Sequence, residues 1–482
     1  MVDPPDKVNA WMKRCNARPL RPLSPVMPRP PRIAIIGGGP GGLFTAHELQ
    51  RLADRRLALT ILEASDRLGG KIATPRFGST GARYEAGAAE FYDYEHFGDD
   101  PLKDLIRELG LPIRPMGGSA VVVGNEVISN LDDMRSRIGA DATAALLDFD
   151  RTARDRMTPR EFYASGDGGV ASTGTDRRGF DRSLDGIADP RARRFVERMI
   201  HSDLAAEPHQ TSEEYGLQNY LMNDPAYLRL YGIDGGNERL IEALSARIDA
   251  EVRLGCRVRS VERSCEGAMR IDWEADGTIS SGEFDAVVVA LPHDRIGSVE
   301  FRGERLASAL AAHRAHHDHP AHYLRVTLLF ETPFWRATCS DSFWMLDRFD
   351  GCCLYDESAR DPSATHGVLG WLLGGDAAKV LADADDATIV SEVLAALPPA
   401  FARSVTPALE ARVHRWIGAV SALPGGRSPL PLDRRHCPEP IEHPDLFVVG
   451  DYLYDSTLNG VLDSAEYVAA WIAARIADGR AN

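Results

Sequence analysis

The sequence predicts an α/β fold, and three observations carry that expectation. The apolar, β-branched run Ile33-Ala34-Ile35-Ile36 feeds straight into the glycine-rich stretch Gly37-Gly38-Gly39-Pro40-Gly41-Gly42. An amphipathic segment, residues 43 to about 53, follows at helical spacing. A second apolar run, residues 57–62, then ends in Glu63.

Each element has a physical reason. Gly37 permits the tight turn out of the first strand, and Gly39 lets the backbone approach a bound pyrophosphate. Gly42 lets the helix pack closely on the sheet. The helix N-terminus offers unpaired N–H groups and a positive dipole end to phosphates. Glu63 lies 21 residues past Gly42, where a carboxylate meets the hydroxyls of an adenosine ribose. A glycine-rich turn alone can bind nothing. Strand, turn, helix, strand and acid in this order point to a dinucleotide cofactor.

Residues 100–230 read mostly as helices broken by polar loops, with 165–177 the clearest mobile loop. A helix is expected over residues 238–248, an alternating segment over 252–261, and strands over 268–273 and 286–291. A strand at 320–332 and a strand entering a loop at 446–451 follow, then a helix from about 460 to 477. The nucleotide-binding elements therefore fall into three blocks, residues 31–90, 233–310 and 430–478. A substrate-binding domain, residues 91–232 and 311–429, is interleaved with them. Residues 1–30, rich in proline and arginine, read as a disordered or loosely docked lead-in.

The chain has 482 residues, 44% hydrophobic and 26% charged, enough for two or three folding units. A net charge of −16 argues against nucleic acid or an anionic membrane as partner. No apolar run approaches bilayer length, so no membrane span is expected. Seven cysteines without a CxxC pair suit a reducing cytoplasm, and Cys352-Cys353 read as small buried hydrophobes. The oligomeric state stays open, a homodimer included.

The glycine loop, the stretch Glu63-Ala-Ser-Asp-Arg67-Leu-Gly69-Gly70-Lys71, the stretch Glu85-Ala-Gly87-Ala88-Ala89-Glu90, the strand ending at Pro292 and residues 450–469 occur together in order. In this the chain resembles the flavin-dependent amine oxidase superfamily, which includes monoamine, polyamine and L-amino-acid oxidases, protoporphyrinogen oxidase and carotenoid desaturases. The resemblance implies a Rossmann-type FAD-binding domain interleaved with a mixed α+β substrate domain. It implies FAD rather than NAD, and non-covalent FAD, since no cysteine stands at the usual flavinylation position. By resemblance, Gly37, Gly39, Gly42, Glu63, Arg67, Gly70, Lys71, Gly87, Ala88, Val258, Asp451, Asn459, Gly460 and Val461 face the cofactor. The helix starting near Gly460 would aim its dipole at the flavin N1–C2=O edge. No second dinucleotide fingerprint appears, so substrate reduces the flavin and O₂ or another acceptor reoxidises it.

Many relatives carry a lysine ten residues ahead of a Phe-Trp tryptophan, where it holds water at flavin N5. Here Trp335 is preceded at that spacing by Arg325, which stays charged and can hold water, grip a carboxylate or form a structural ion pair. L-Amino-acid oxidases place a carboxylate-binding arginine just after Gly-Ala. Here that place holds Glu90, an acid suited to a substrate ammonium. Asp93, Glu95 and Asp99 follow, as further binding groups or as a solvated acidic loop, with Tyr92 and Tyr94 between. The usual aromatic walls are missing at residues 423–428 and 456–460, and Tyr452 and Tyr454 either replace them or pack the loop. Histidines 313, 316, 317, 319 and 322 have metal-like density, but Pro320 interrupts them, and no metal site is assigned. The leading expectation is oxidation of a C–N bond in an amine or amino acid, with Glu90 and Arg325 at the catalytic centre. C–C desaturation of a larger substrate is the alternative, and a flavin-binding protein without turnover a third.

Overall fold

A computed structural model describes residues 29–95, 98–118, 120–165, 179–339, 341–361, 364–401, 407–423, 430–454 and 456–478. The expected lead-in, the core of the 165–177 loop and most of residues 423–428 lie outside these. The apolar run near the start forms the strand Arg32–Ile36, and the glycine turn opens the helix Pro40–Leu52. The strand sits third in a five-stranded sheet between Ala58–Leu62 and Ala286–Val289, with Ala250–Arg253 and Leu446–Val448 at the edges. All four pairings are parallel.

Such a sheet must be covered on both faces, and successive strand residues point opposite ways. Ile33 and Ile35 pack with Leu43 and Phe44 of the first helix and with Leu462 and Val468 of the helix Leu458–Asp478. Ala34 and Ile36 pack with Val258, Ile271 and Trp273. These come from a second sheet of Thr278–Phe284, Met269–Ala275, Arg257–Arg263 and Glu300–Phe301. The strand Thr278–Phe284 was not expected, because five of its seven residues are exposed and its polar Ser-Ser-Gly carries no apolar alternation.

The intervening segments build a seven-stranded sheet in the order Glu410–Ser421, Pro320–Phe330, Gly367–Gly374, Cys352–Asp356, Phe343–Leu346, Val121–Val123 and Glu126–Ile128. Helices between residues 131 and 221 pack as a separate apolar cluster beside it. The segment 100–230 also supplies strands at Ile113–Met116, Val121–Val123 and Glu126–Ile128, too short for a periodic signal.

A Cβ at Gly42 would lie 2.0 Å from the Gly37 carbonyl oxygen, so the helix sits on the turn only with glycine there. A Cβ at Gly39 would meet nothing closer than Gly70 Cα at 3.8 Å. Gly42→Ala should therefore lower stability by about 3 kcal/mol or more, and Gly39→Ala should leave the thermal midpoint of the ligand-free protein in place. Calorimetric melting of the two variants checks the contrast.

Candidate active site

The glycine turn, the loop after Glu63 and the last helix meet around one cradle. Gly37 takes φ +108°, and a Cβ on it would sit 2.6 Å from the Ala290 carbonyl oxygen. Gly39 differs: its φ of −76° is open to any residue and no protein atom crowds it. Within the protein, nothing at this position requires glycine. Gly70, at φ +52°, faces it. The N–H groups of Gly41 and Gly42 lie in the first helical turn and have no intrahelical acceptor, and Gly39 makes no side-chain cap. Val461 comes within 3.6 Å of where a Gly41 Cβ would stand, so the starts of the first and last helices converge here.

Glu63 closes the other end. Its Oε2 accepts from Gly38 N–H at 2.7 Å, and its Oε1 from Ser65 N–H at 2.8 Å. Lys71 Nζ donates to the Ala419 carbonyl and lies 3.3 Å from Asp451 Oδ2. Arg67 spends its guanidinium on the Leu68, Gly70 and Ile72 carbonyls, bracing the loop. The Val258 side chain is buried in the second sheet's core, and Asn459 reaches Asp100 at 3.4 Å. Gly460 N–H donates to Thr457 Oγ1 at 3.0 Å.

The Glu85-to-Glu90 stretch connects this cradle to the seven-stranded sheet. Glu85 is fully buried, accepting from Asn237 N–H and Thr74 Oγ1, both at 2.9 Å. Burial pushes its carboxyl up to about 7. A Cβ at Gly87 would lie 1.9 Å from the Lys71 carbonyl oxygen, and Ala88 N–H donates to that same oxygen at 3.0 Å. Arg325 rises from the sheet beneath with no exposure, donating from Nε to the Glu85 carbonyl and from Nη2 to Glu357. Arg360 takes the other Glu357 oxygen at 2.9 Å and also holds the Ala89 carbonyl. Arg325 thus has the structural ion pair, and among the described residues its Nη1 has no partner. Glu90 lies close by without bonding it. Burial raises the Glu90 pKa, opposed by Arg325, a Tyr355 hydrogen bond and Arg360, and its Oε2 is buried without a partner.

Glu90 faces a cluster of polar groups deep in the protein. Arg325, Leu372 and Cys353 share one row across three strands, so Tyr323, two residues before Arg325, and Tyr355, two after Cys353, lie on the same face. Above that floor stand Tyr92 from the strand Phe91–Asp93, Asp203 from the helix Pro190–Leu204 and Tyr215 from Glu213–Leu221. Tyr92, Asp203 and Tyr323 lie deep in the protein yet keep part of their surface open, as groups lining an internal space do. Burial pushes the Asp203 carboxyl up to about 7 against a 3.1 Å hydrogen bond from Asn223, and the Glu90 charge adds to the rise. Burial, then the Glu90 charge, likewise holds the Tyr92 hydroxyl well above the usual range.

Asp203, Tyr215, Tyr323 and Tyr355 were not singled out from the sequence. Their only local signal is polarity within otherwise apolar segments. Tyr452 and Tyr454 do not supply aromatic walls; they pack against His317 at 5.4 Å and His436 at 5.6 Å. Asp93 and Glu95 bind Lys103 Nζ at 2.6 and 2.8 Å, so that part of the acidic run is structural. His313 and His317 are buried and held neutral, at about 3 and about 2, mainly by burial. No group of three or more possible ligands is arranged for a metal among the described residues. The six described cysteines are free thiols, and no described helix is long and apolar enough to cross a membrane.

The pattern of flavin containing amine oxidoreductases matches residues 40–473. The chain belongs to that family. It is therefore a flavin-dependent oxidoreductase. This flavin amine oxidoreductase is 23% identical to the flavin-dependent L-tryptophan oxidase RebO of Lentzea aerocolonigenes over 352 residues, 66% of this chain and 68% of the relative. It is 27% identical to nicotine dehydrogenase of Pseudomonas putida over 285 residues, and there it spans about half of the relative, 53%. Its fold matches cyclohexylamine oxidase from Brevibacterium oxydans with a TM-score of 0.69 at 18% identity, covering 93% of this chain and all of that one. Wild-type putrescine oxidase bound to putrescine matches with a TM-score of 0.65, also at 18% identity, over 93% and 99%. The two-domain flavoprotein fold expected from the motifs is thus the one observed.

Within this family member the Arg325–Glu357 pair is testable by itself. Arg325→Met leaves Glu357 buried beside one cation instead of two and should destabilise the protein by about 3–5 kcal/mol. Adding Glu357→Gln should recover part of that loss, as read by urea unfolding of the single and double variants.

Proposed function

We propose that the protein is an FAD-dependent oxidase that takes two electrons from a C–N bond of an amine. The observation that carries this reading is the cluster deep in the protein of Glu90 and Asp203 with Tyr92, Tyr215, Tyr323 and Tyr355, at the end of the strip that holds Gly87 and Ala88. An apolar polyene or a ring system gains nothing from buried carboxylates, whereas an amine does.

The residues present fit a flavin dinucleotide. Gly39 is a glycine that no protein atom crowds and two helix N-termini converge beside it, which supports a pyrophosphate there; Glu63, at the end of the second strand, would meet the ribose hydroxyls, and Lys71, paired with Asp451, would add a positive charge nearby. On this reading the FAD domain comprises residues 31–90, 233–310 and 430–478, with a backbone group of Val258 near the adenine and Asp451 near the ribityl chain. Gly87, Ala88 and the turn Asn459-Gly460-Val461 border the isoalloxazine, and binding is non-covalent. When bound, FAD supplies a hydride acceptor at N5 and passes the electron pair on to O₂.

The chain's own groups do the rest. An amine arrives as ammonium and must lose a proton before its α-C–H can leave as hydride. Glu90 is the acceptor: it belongs to that cluster, and its raised pKa brings its basicity towards neutral pH. Arg325, fixed by Glu357 and the Glu85 carbonyl, keeps Nη1 free to hold water or substrate at one position. The tyrosines enclose the carbon chain and exclude bulk water.

Anaerobic mixing with a panel of amines should bleach the flavin, and air should restore it with release of H₂O₂. Bleaching by no amine overturns the reading. Gly39→Ala should fold normally yet weaken FAD by about tenfold or more, the equivalent of about 1.4 kcal/mol, measured by equilibrium titration of the apoprotein. Lowering the pH protonates Glu90 and removes the proton acceptor, so kcat/KM should fall on the acid side. Glu90→Gln should lose about 10²–10⁴-fold and flatten that limb.

A further inference from the structure

We propose that Glu357 is a positioning residue for the reaction: through Arg325 and Arg360 it fixes the strip from Glu85 to Glu90 and sets the net charge that Glu90 meets. This rests on the amine-oxidase reading above, in which Glu90 takes the proton of the substrate, and extends it.

The Glu357 side chain has no exposure, and each of its oxygens meets one guanidinium. Oε1 accepts from Arg325 Nη2, and Oε2 from Arg360 Nε at 2.9 Å. Both guanidiniums reach on to the strip. Arg325 Nε donates to the Glu85 carbonyl and Arg360 Nη2 to the Ala89 carbonyl. Gly87 and Ala88 lie between those two carbonyls, so a single carboxylate holds both ends of the segment. Its own position is fixed locally. Asp356 caps the turn Glu357–Arg360 by accepting from Ala359 N–H at 3.2 Å, and that turn sets Arg360 beside Glu357 three residues on.

Charge gives Glu357 a second hold on the site. Glu90 faces Arg325 and Tyr323 from the strand Pro320–Phe330, Cys353 and Tyr355 from Cys352–Asp356, and Glu357 and Arg360 from the turn after it. It also faces Tyr92 and Asp203. Glu85, itself fully buried, faces Arg360 and Glu357. The cations among these groups are Arg325 and Arg360. With Glu357 ionised they leave one positive charge for Glu85 and Glu90 together; without it they leave two. Glu357 therefore opposes ionisation of both carboxyls, by like charge and by neutralising the guanidiniums that favour it. Burial is the larger cause of the rise at Glu85 and at Glu90, and Glu357 adds to it at each. The outcome is a stronger base at Glu90 than the same carboxyl would be beside two unmatched guanidiniums, and a stronger base takes an ammonium proton more readily.

The test measures kcat/KM of the holoenzyme against pH with the amine that best bleaches the flavin. Glu357→Gln should move the acid limb to lower pH by about one unit or more and lower kcat by about tenfold or more. Glu357→Asp keeps the charge on a shorter side chain, so kcat should fall while the limb stays in place. Arg360→Gln removes a cation and should move the limb the opposite way. If Glu357→Gln alone does not fold, the same downward displacement is read between Arg360→Gln and Glu357→Gln/Arg360→Gln, which leaves one buried cation fewer. A second readout needs no turnover. A carboxyl such as Glu85, raised from 4.5 to about 7 on folding, contributes stability at low pH that is lost as the pH rises through that window. Removing Glu357 lessens the rise, so the urea midpoint should fall less across the window in Glu357→Gln than in the wild type. An acid limb that stays in place in Glu357→Gln, or an unchanged fall of the urea midpoint, overturns the inference while leaving amine oxidation standing. Failure of every amine to reduce the flavin overturns the underlying reading instead, and the urea readout then decides the charge role of Glu357 by itself.

Discussion

A guanidinium with no exposure at all organises this protein. Taking Arg325 out of water costs several kcal/mol unless its charge is met and its donors used. Glu357 meets the charge, the Glu85 carbonyl takes Nε, and the Tyr355 ring lies 5.1 Å from the guanidinium carbon. Gly370 makes room for the pair, because a Cβ there would stand 3.0 Å from Glu357 Oε1 and 3.2 Å from Arg325 Nη2. Arg360 uses the remaining Glu357 oxygen and ties down the Ala89 carbonyl.

The strip from Glu85 to Glu90 is consequently held from both sides. Arg325 from the sheet and Arg360 from the turn Glu357–Arg360 grip its Glu85 and Ala89 carbonyls, while Asn237 and Thr74 grip the Glu85 carboxylate. Asn237 also donates to the Ala88 carbonyl at 3.0 Å, and the Trp416 indole to the Ala86 carbonyl at 2.7 Å. A strip so constrained keeps one position. The same construction leaves Glu90 Oε2 and Arg325 Nη1 without partners among the described residues.

How much of this was legible depends on how local each feature is. The cofactor cradle was readable because a strand, a turn with positive φ and a helix are specified by contiguous residues, and the motif places Glu63 at a set distance. The flavoprotein architecture followed from the order of such blocks. The cluster around Glu90 was only partly readable. Glu90 and Arg325 stood out by position, but Arg325's partner Glu357 lies 32 residues further along the chain and nothing near Arg325 announces it. Asp203 and Tyr215 come from helices whose packing no periodicity specifies. Whether Tyr452 and Tyr454 wall the site or pack the loop stayed open, because a tyrosine's neighbours in sequence do not reveal which space it faces.

By itself the sequence determined the parallel-sheet nucleotide fold, the glycine positions and the acid at the end of the second strand. These depend on backbone stereochemistry within a few tens of residues. Only the tertiary structure decided that Arg325 is ion-paired, that Glu90 and Asp203 come to face one another and that burial pushes their carboxyls up. Burial and charge at a point in space sum contributions from residues far apart in the chain, and no stretch of sequence contains that sum.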